Sequence, residues 1–164
     1  MRSIWLDGEW FIGGDLFILG YCYNSKIQGQ LYGNCLNLTR FKRILKDVRY
    51  IYCYGPDIGI LEKHFGIDIR NKYVCINLLK VFRHFVDNDS YKLADLEKLY
   101  GIKRKRVEYK KNIFKIFADW KQPDKRKRLL EYNMEDAYNL MKIWKIIRAK
   151  HNIGLDYLLR ERLR

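Results

Sequence analysis

Asp7, Glu9, Asp57, Tyr132 and Asp136 are the side chains of this 164-residue sequence whose types and spacing suit chemistry. Asp7-Gly8-Glu9 follows the apolar run Ile4-Trp5-Leu6. Residues two apart in a strand point to one face, so both carboxylates can address one point. Asp57 follows the β-rich stretch 49–54 and sits just inside a helix opened by Pro56. Parallel neighbouring strands open their carboxyl ends onto a shared crevice where ligands bind, which lets Asp57 meet Asp7. Tyr132 and Asp136 are four apart on a long helical stretch, one turn apart on the same face. Four converging carboxylates repel one another unless cations join them. Oxygen-only donors suit Mg²⁺ or Mn²⁺ better than Zn²⁺ or copper. Two such ions about 4 Å apart can activate a water and stabilise the leaving 3′ oxygen of a phosphodiester. Two divalent metal ions are therefore the expected cofactors, with Tyr132 orienting or helping to deprotonate the water.

The elements that must position these groups are legible as patterns. Residues 4–6, 16–23 and 27–32 read as strands separated by the turn chemistry of Gly13-Gly14 and Asn24-Ser25, an antiparallel meander. Leu38, Phe41, Leu45 and Val48 recur at helical spacing. A strand over 49–54, a helix over 56–65 stopped by Gly66, a strand over 73–76 and a helix over 78–86 follow. Leu93, Leu96, Leu99 and Tyr100 form another helical stripe. The last strong helix runs from Pro123 to about Lys150, with Leu130, Ala137, Met141 and Trp144 on its stripe, and residues 153–164 suit a short final helix. The order β-β-β-α-β-α-β-α predicts an α/β fold: a five-stranded mixed sheet, its first three strands antiparallel, flanked by helices. No linker or repeat divides residues 1–164, so one domain is expected.

Lys and Arg number 33 against 19 Asp and Glu, a net charge of +14. A cationic surface attracts phosphates and releases their counterions, which favours nucleic acid as partner. Two runs stand out, Lys103-Arg104-Lys105-Arg106 with Lys110-Lys111 beyond it, and Lys125-Arg126-Lys127-Arg128. The second lies one or two turns before Tyr132, where a strand reaching the acids would pass, and Tyr109 could stack a base beside the first. No apolar run approaches the roughly 20 residues of a membrane-spanning helix, so no membrane partner is expected. Cys22, Cys35, Cys53 and Cys75 include no C-x-x-C pair, and the first residues lack a signal-peptide core, which places the chain in a reducing cytoplasm.

The ordered set resembles the DEDD superfamily of 3′→5′ exonucleases in its tyrosine-containing variant. It is most similar to the ribonuclease H-like family of predicted exonucleases, whose motifs read roughly D-I-E-T, Y-N/G-x-x-F-D and Y-N-x-x-D. Here they stand as Asp7-Gly8-Glu9-Trp10, Tyr54-Gly55-Pro56-Asp57 and Tyr132-Asn133-Met134-Glu135-Asp136. The stretch 92–102 also looks like that family's L-x-x-L-E-x-x-x-G-I segment, so the resemblance covers residues 4 to about 145. Gly8 and Trp10 depart from the first motif, and the second is shorter than usual. The resemblance implies a ribonuclease H-like fold. It implies that Asp7, Glu9, Asp57 and Asp136 ligate two metals, that Glu9 also meets the terminal 3′ hydroxyl, and that Tyr132 positions the water. It also implies that Trp10 and Phe11 wedge against the terminal base. The same carboxylates in the same fold also serve endonucleases, and an inactive site would leave a nucleic-acid-binding module.

Overall fold

The computed structural model of the protein describes residues 2–109 and 113–163. Strands β1 (Arg2–Trp10), β2 (Leu16–Cys22) and β3 (Gln28–Tyr32) form the expected meander. Helix α1 (Leu38–Ile44) is shorter than its apolar spacing suggests, because Val48 already opens β4 (Val48–Cys53). Then come α2 (Asp57–Phe65), β5 (Val74–Asn77), α3 (Leu78–Phe85) and α4 (Leu93–Leu99). The chain ends through α5 (Ile113–Trp120), α6 (Pro123–Lys150) and α7 (Leu155–Arg160). The α5 helix is an addition to the elements assigned above. Lys110 and Lys111 lie outside the described residues. Among the described residues no helix is long and apolar enough to cross a membrane.

The five strands form one sheet in the order β3-β2-β1-β4-β5. β1 pairs antiparallel with β2 and parallel with β4, so direction changes at the central strand. Alternation along each strand sorts side chains to two faces. Ile4 and Leu6 of β1 join Ile51 and Cys53 of β4 in a core completed by Phe41, Ile58, Leu61 and Phe65 of α1 and α2. Trp5, Tyr50 and Tyr52 face the opposite way, into a core with Phe82, Leu96, Met141 and Trp144 of α3, α4 and α6. By the same alternation, Asp7 and Glu9 share the face of Trp5 and point toward α6. Gly66 ends α2 at φ 62°, a left-handed conformation that residues with a Cβ rarely take.

The 28-residue α6 spans about 42 Å at the usual rise per residue. It starts at a Pro and lies across β1 and β2. Of the apolar stripe read from sequence, Ala137, Met141 and Trp144 are buried, while Leu130 is partly buried beside the fully buried Leu129. The seat of α6 on the sheet depends on Gly20. A Cβ there would lie 2.5 Å from Asn133 Oδ1 and 3.0 Å from the Asn133 carbonyl oxygen. Gly20 is the partner of Asp7 in the β1–β2 register, so the close approach occurs beside the first acid.

Candidate metal centre and nucleic-acid interface

The structure brings Asp7, Glu9 and Asp136 together. Each offers a carboxylate oxygen, and these oxygens all lie within 4.8 Å of one another. Asp57, the first residue of α2, stands at the carboxyl end of β4 beside them. Its turn is fixed by the backbone amide of Tyr54, which donates to Asp57 Oδ2 at 3.3 Å. Asn77, at the end of β5, accepts from Gly55 N at 3.0 Å and donates to Gly55 O at 2.9 Å. Gly8 in the first motif has a local reason: a Cβ there would meet Leu16 Cδ1 at 3.1 Å and Asp57 Oδ1 at 3.6 Å. The tight contact is the one with Leu16 of β2, and the distance to Asp57 is an ordinary van der Waals contact.

The electrostatics are those of acids crowded out of water. Burial raises the Asp7 carboxyl well above the usual range, and Asp136, Glu9 and Asp57 raise it further. Burial does the same to Glu9, aided by Asp136 and Asp57. Asp57 is pushed up to about 7 by burial, against the pull of the Tyr54 and Gly8 amides. Asp136 is pushed up to about 6 by burial, with Arg104 and a hydrogen bond from Tyr132 pulling it back. Burial, followed by the neighbouring Asp136, raises the Tyr132 phenol, which stays protonated at neutral pH. Anions this close fit a divalent cation, and an all-carboxylate donor set suits a hard one.

Several residues that serve the site carried no separate signal in the sequence. Asn133, fully buried, donates from Nδ2 to Asp7 Oδ2 at 2.9 Å and to the Asp7 carbonyl at 3.1 Å. Its own Oδ1 accepts from Gln30 Nε2 at 3.1 Å. The asparagine beside the tyrosine in the last motif is thus the clamp that aims Asp7. Arg104 bonds through Nη2 to Asp136 and to Glu97, and Asn139 donates to Glu97 at 2.9 Å. Glu97 stands in the L-E segment of the sequence, but nothing local marks Arg104, seven residues on, as its partner.

The residues expected along a bound strand divide. Lys103 and Lys105 are exposed, as is Arg126. Arg126 lies over the Trp120 ring at 5.0 Å and donates to the Trp120 carbonyl at 2.6 Å. Lys125 is half-buried, its Nζ 3.8 Å from Asp119. Arg104 is turned inward with its side chain 2% exposed, and Arg106 pairs with Glu131 and Glu108. Tyr109, expected to stack a base, is buried and its hydroxyl donates to Asp119 Oδ2 at 2.8 Å, so its ring faces protein. Trp10 is half-buried. Phe11 is half-buried too, packed on Phe17 at 4.5 Å and Phe117 of α5 at 5.1 Å between ring centres. A cavity of about 140 Å³ opens between Asp7, Asp136, Tyr132, Tyr54, Leu93 and Lys92. A larger one of about 760 Å³ runs between the 103–106 segment and α6, where Gln28, Lys103, Lys105 and Lys142 contribute polar groups.

Comparison with known proteins bears on this arrangement. A family model described as RNase H superfamily matches residues 22–148, a span that begins after Asp7 and Glu9 and includes Asp57 and Asp136. No curated protein matches the chain. Among solved structures, the family B DNA polymerase from the hyperthermophilic archaeon Pyrobaculum calidifontis superposes with a TM-score of 0.72 at 13% identity. That match covers 90% of this chain and only 24% of the polymerase chain. At this identity the likeness is one of fold, and it agrees with the mixed sheet expected from the sequence.

Proposed function

Because the chain belongs to the RNase H superfamily, we propose that it is a metal-dependent 3′→5′ exonuclease that hydrolyses the terminal phosphodiester bonds of DNA or RNA. The observation that carries this is the meeting of Asp7, Glu9 and Asp136 within 4.8 Å, with Asp57 and Tyr132 beside them. Asp7, Glu9, Asp57 and Asp136 would hold the two divalent cations, the first, second and fourth of these acids offering oxygens within 4.8 Å of one another. Such cations, Mg²⁺ or Mn²⁺, neutralise charge on the reacting phosphate and acidify water near neutral pH.

The remaining work falls to the chain's own groups. Asn133 keeps Asp7 aimed by its two donated hydrogen bonds. Tyr132, protonated, orients the attacking water and does not serve as its base, since even an unperturbed phenol titrates near pH 10. Glu9 meets the 3′ hydroxyl, and Trp10 lies against the terminal base. Lys103, Lys105, Lys125 and Arg126 follow the phosphates of the strand, and Phe11, packed on Phe17 and Phe117, shares the wedge with Trp10.

The test is incubation of end-labelled single- and double-stranded DNA and RNA with and without Mn²⁺. Stepwise release of nucleoside monophosphates from a free 3′ end, abolished by chelator, is expected. Internal cuts in a 3′-blocked substrate would identify an endonuclease, and binding without cleavage an inactive module. Asp7→Ala and Asp136→Ala lose turnover by orders of magnitude. Tyr132→Phe lowers the cleavage rate about 10- to 1000-fold, in the range of a single transition-state hydrogen bond, with metal affinity unchanged.

A further inference from the structure

We propose that Arg104 is a positioning residue of the acidic centre: it holds one oxygen of Asp136 and lies on the Tyr132 ring, so that both side chains of the last motif keep one geometry. The inference rests on the metal-nuclease reading above and concerns how that centre is built.

The Arg104 side chain is 2% exposed, and its Nη2 meets Asp136 Oδ1. Its Nε donates to Glu97 Oε2 at 2.9 Å, and Nη2 also reaches Glu97 Oε1. Glu97 is itself 1% exposed and is fixed by Asn139 Nδ2 at 2.9 Å. The guanidinium carbon sits 4.8 Å from the centre of the Tyr132 ring. One cation therefore touches an acid of α4, the metal-facing acid of α6 and the tyrosine one turn before it. The remaining nitrogen, Nη1, is buried with no hydrogen-bond partner among the described residues. The guanidinium gives up a donor to take this pose, so the two acids set its orientation.

Lysine cannot substitute. An ammonium is a point charge, whereas the planar fork reaches two acids in fixed directions and stacks on a ring. The fork engages Oδ1 of Asp136, so the acid presents its other oxygen to a cation in a fixed place. The positive charge of Arg104 also offsets part of the carboxylate charge, and so weakens the pull on a divalent ion while holding the ligand still.

The experiment compares the full chain with Arg104→Lys and Arg104→Met in three measurements. These are Mn²⁺ binding without nucleic acid, followed by the spectroscopic signal of free Mn²⁺, melting in chelator, and steady-state kcat and KM on a labelled oligonucleotide. Arg104→Lys keeps the charge and loses the fork. Its Mn²⁺ affinity and KM stay near the parent's while kcat falls about 10-fold or more, the scale of a small misplacement of reacting groups. Arg104→Met removes the charge. It binds Mn²⁺ several-fold more tightly, as expected when a like charge leaves a cation site, while kcat falls about 100-fold. Parental kcat in either variant, or a lower melting temperature with kcat per folded molecule intact, overturns the inference. So does unchanged or weaker Mn²⁺ binding by Arg104→Met. Should Arg104→Met not fold, Arg104→Lys decides by its kcat alone. A parent that neither binds Mn²⁺ nor cleaves overturns the metal-nuclease reading and this inference with it. A parent that does both, with variants that match it, overturns this inference only.

Discussion

Residues 103–106 and 125–128 are the same tetrapeptide, Lys-Arg-Lys-Arg, and the fold uses them in opposite ways. In the first copy the lysines face solvent and the arginines face α6. The segment is an irregular loop bent at Lys105, and the contacts of its arginines with acids of α6 sort the side chains. Glu135 fixes it by accepting the amides of Lys105 and Arg106, both at 2.9 Å. The second copy lies in the first turns of α6, where successive residues are spread around the helix and cannot be sorted in pairs. There Arg126, Lys127 and Arg128 are exposed. Identical charge thus builds ion pairs against α6 in one place, buried at Arg104 and partly exposed at Arg106, and a solvated cationic surface in the other. The acids each copy meets make the difference: Glu97, Glu131, Glu135 and Asp136 lie against the first, and chiefly Asp119 near the second.

The largest effect that separates the copies is on stability. Glu97→Ala leaves the buried Arg104 with half its partners, and breaking a buried pair costs about 3–5 kcal/mol. Asp124→Ala, beside the second copy, removes only an exposed first-turn acid, worth about 0.3–1 kcal/mol. Urea unfolding of the two variants measures both, and similar losses would erase the contrast. Next in size is the salt dependence of nucleic-acid binding. Replacing both Lys125 and Arg126 by Glu flattens the logarithmic salt slope by about one unit for each phosphate that the protein no longer neutralises. Arg106→Gln leaves the slope in place, because its guanidinium is already held by Glu131 and Glu108. A slope flattened by Arg106→Gln would show that the inward copy also reaches the strand.

A pH titration in chelator sharpens the same comparison at the acids themselves. Asp57 at about 7 and Asp136 at about 6 bind protons more tightly in the folded chain than in the unfolded one, where carboxylates titrate near 4. Their protonation therefore stabilises the fold at low pH, and this contribution fades as pH rises from about 4 through 6 and 7. The melting temperature in chelator should carry that decline. Asp57→Asn should make it shallower, and Mn²⁺ should counter it by taking the place of protons. A decline as steep in Asp57→Asn as in the parent would remove Asp57 as a source. The smallest effect concerns Tyr109. Its phenylalanine variant loses one buried hydrogen bond, about 1 kcal/mol, and binds oligonucleotide as the parent does. Weaker binding would return Tyr109 to the interface.

Much of this protein is written locally. Alternating and helical apolar patterns mark the five strands and the long last helix, because burial of one face needs only near neighbours in sequence. The spacing of Asp7 and Glu9, and of Tyr132 and Asp136, follows from strand and helix periods in the same way. The order of elements places Asp57 at the neighbouring strand end. What the chain order does not contain is which distant groups touch. Gly20 reads as an ordinary strand glycine until Asn133 is found against it, 2.5 Å from where a Cβ would be. Asn133 reads as a motif letter until its amide is seen on Asp7, 126 positions earlier. Arg104 reads as one charge in a basic run until Glu97 and Asp136 enclose it. Periodicity is a property of neighbouring residues, so the sequence determined the elements other than α5 and the acids they carry. Burial, pairing and raised pKa values depend on what packs against each group across the chain, so tertiary structure alone decided which cations face solvent and which are held against acids.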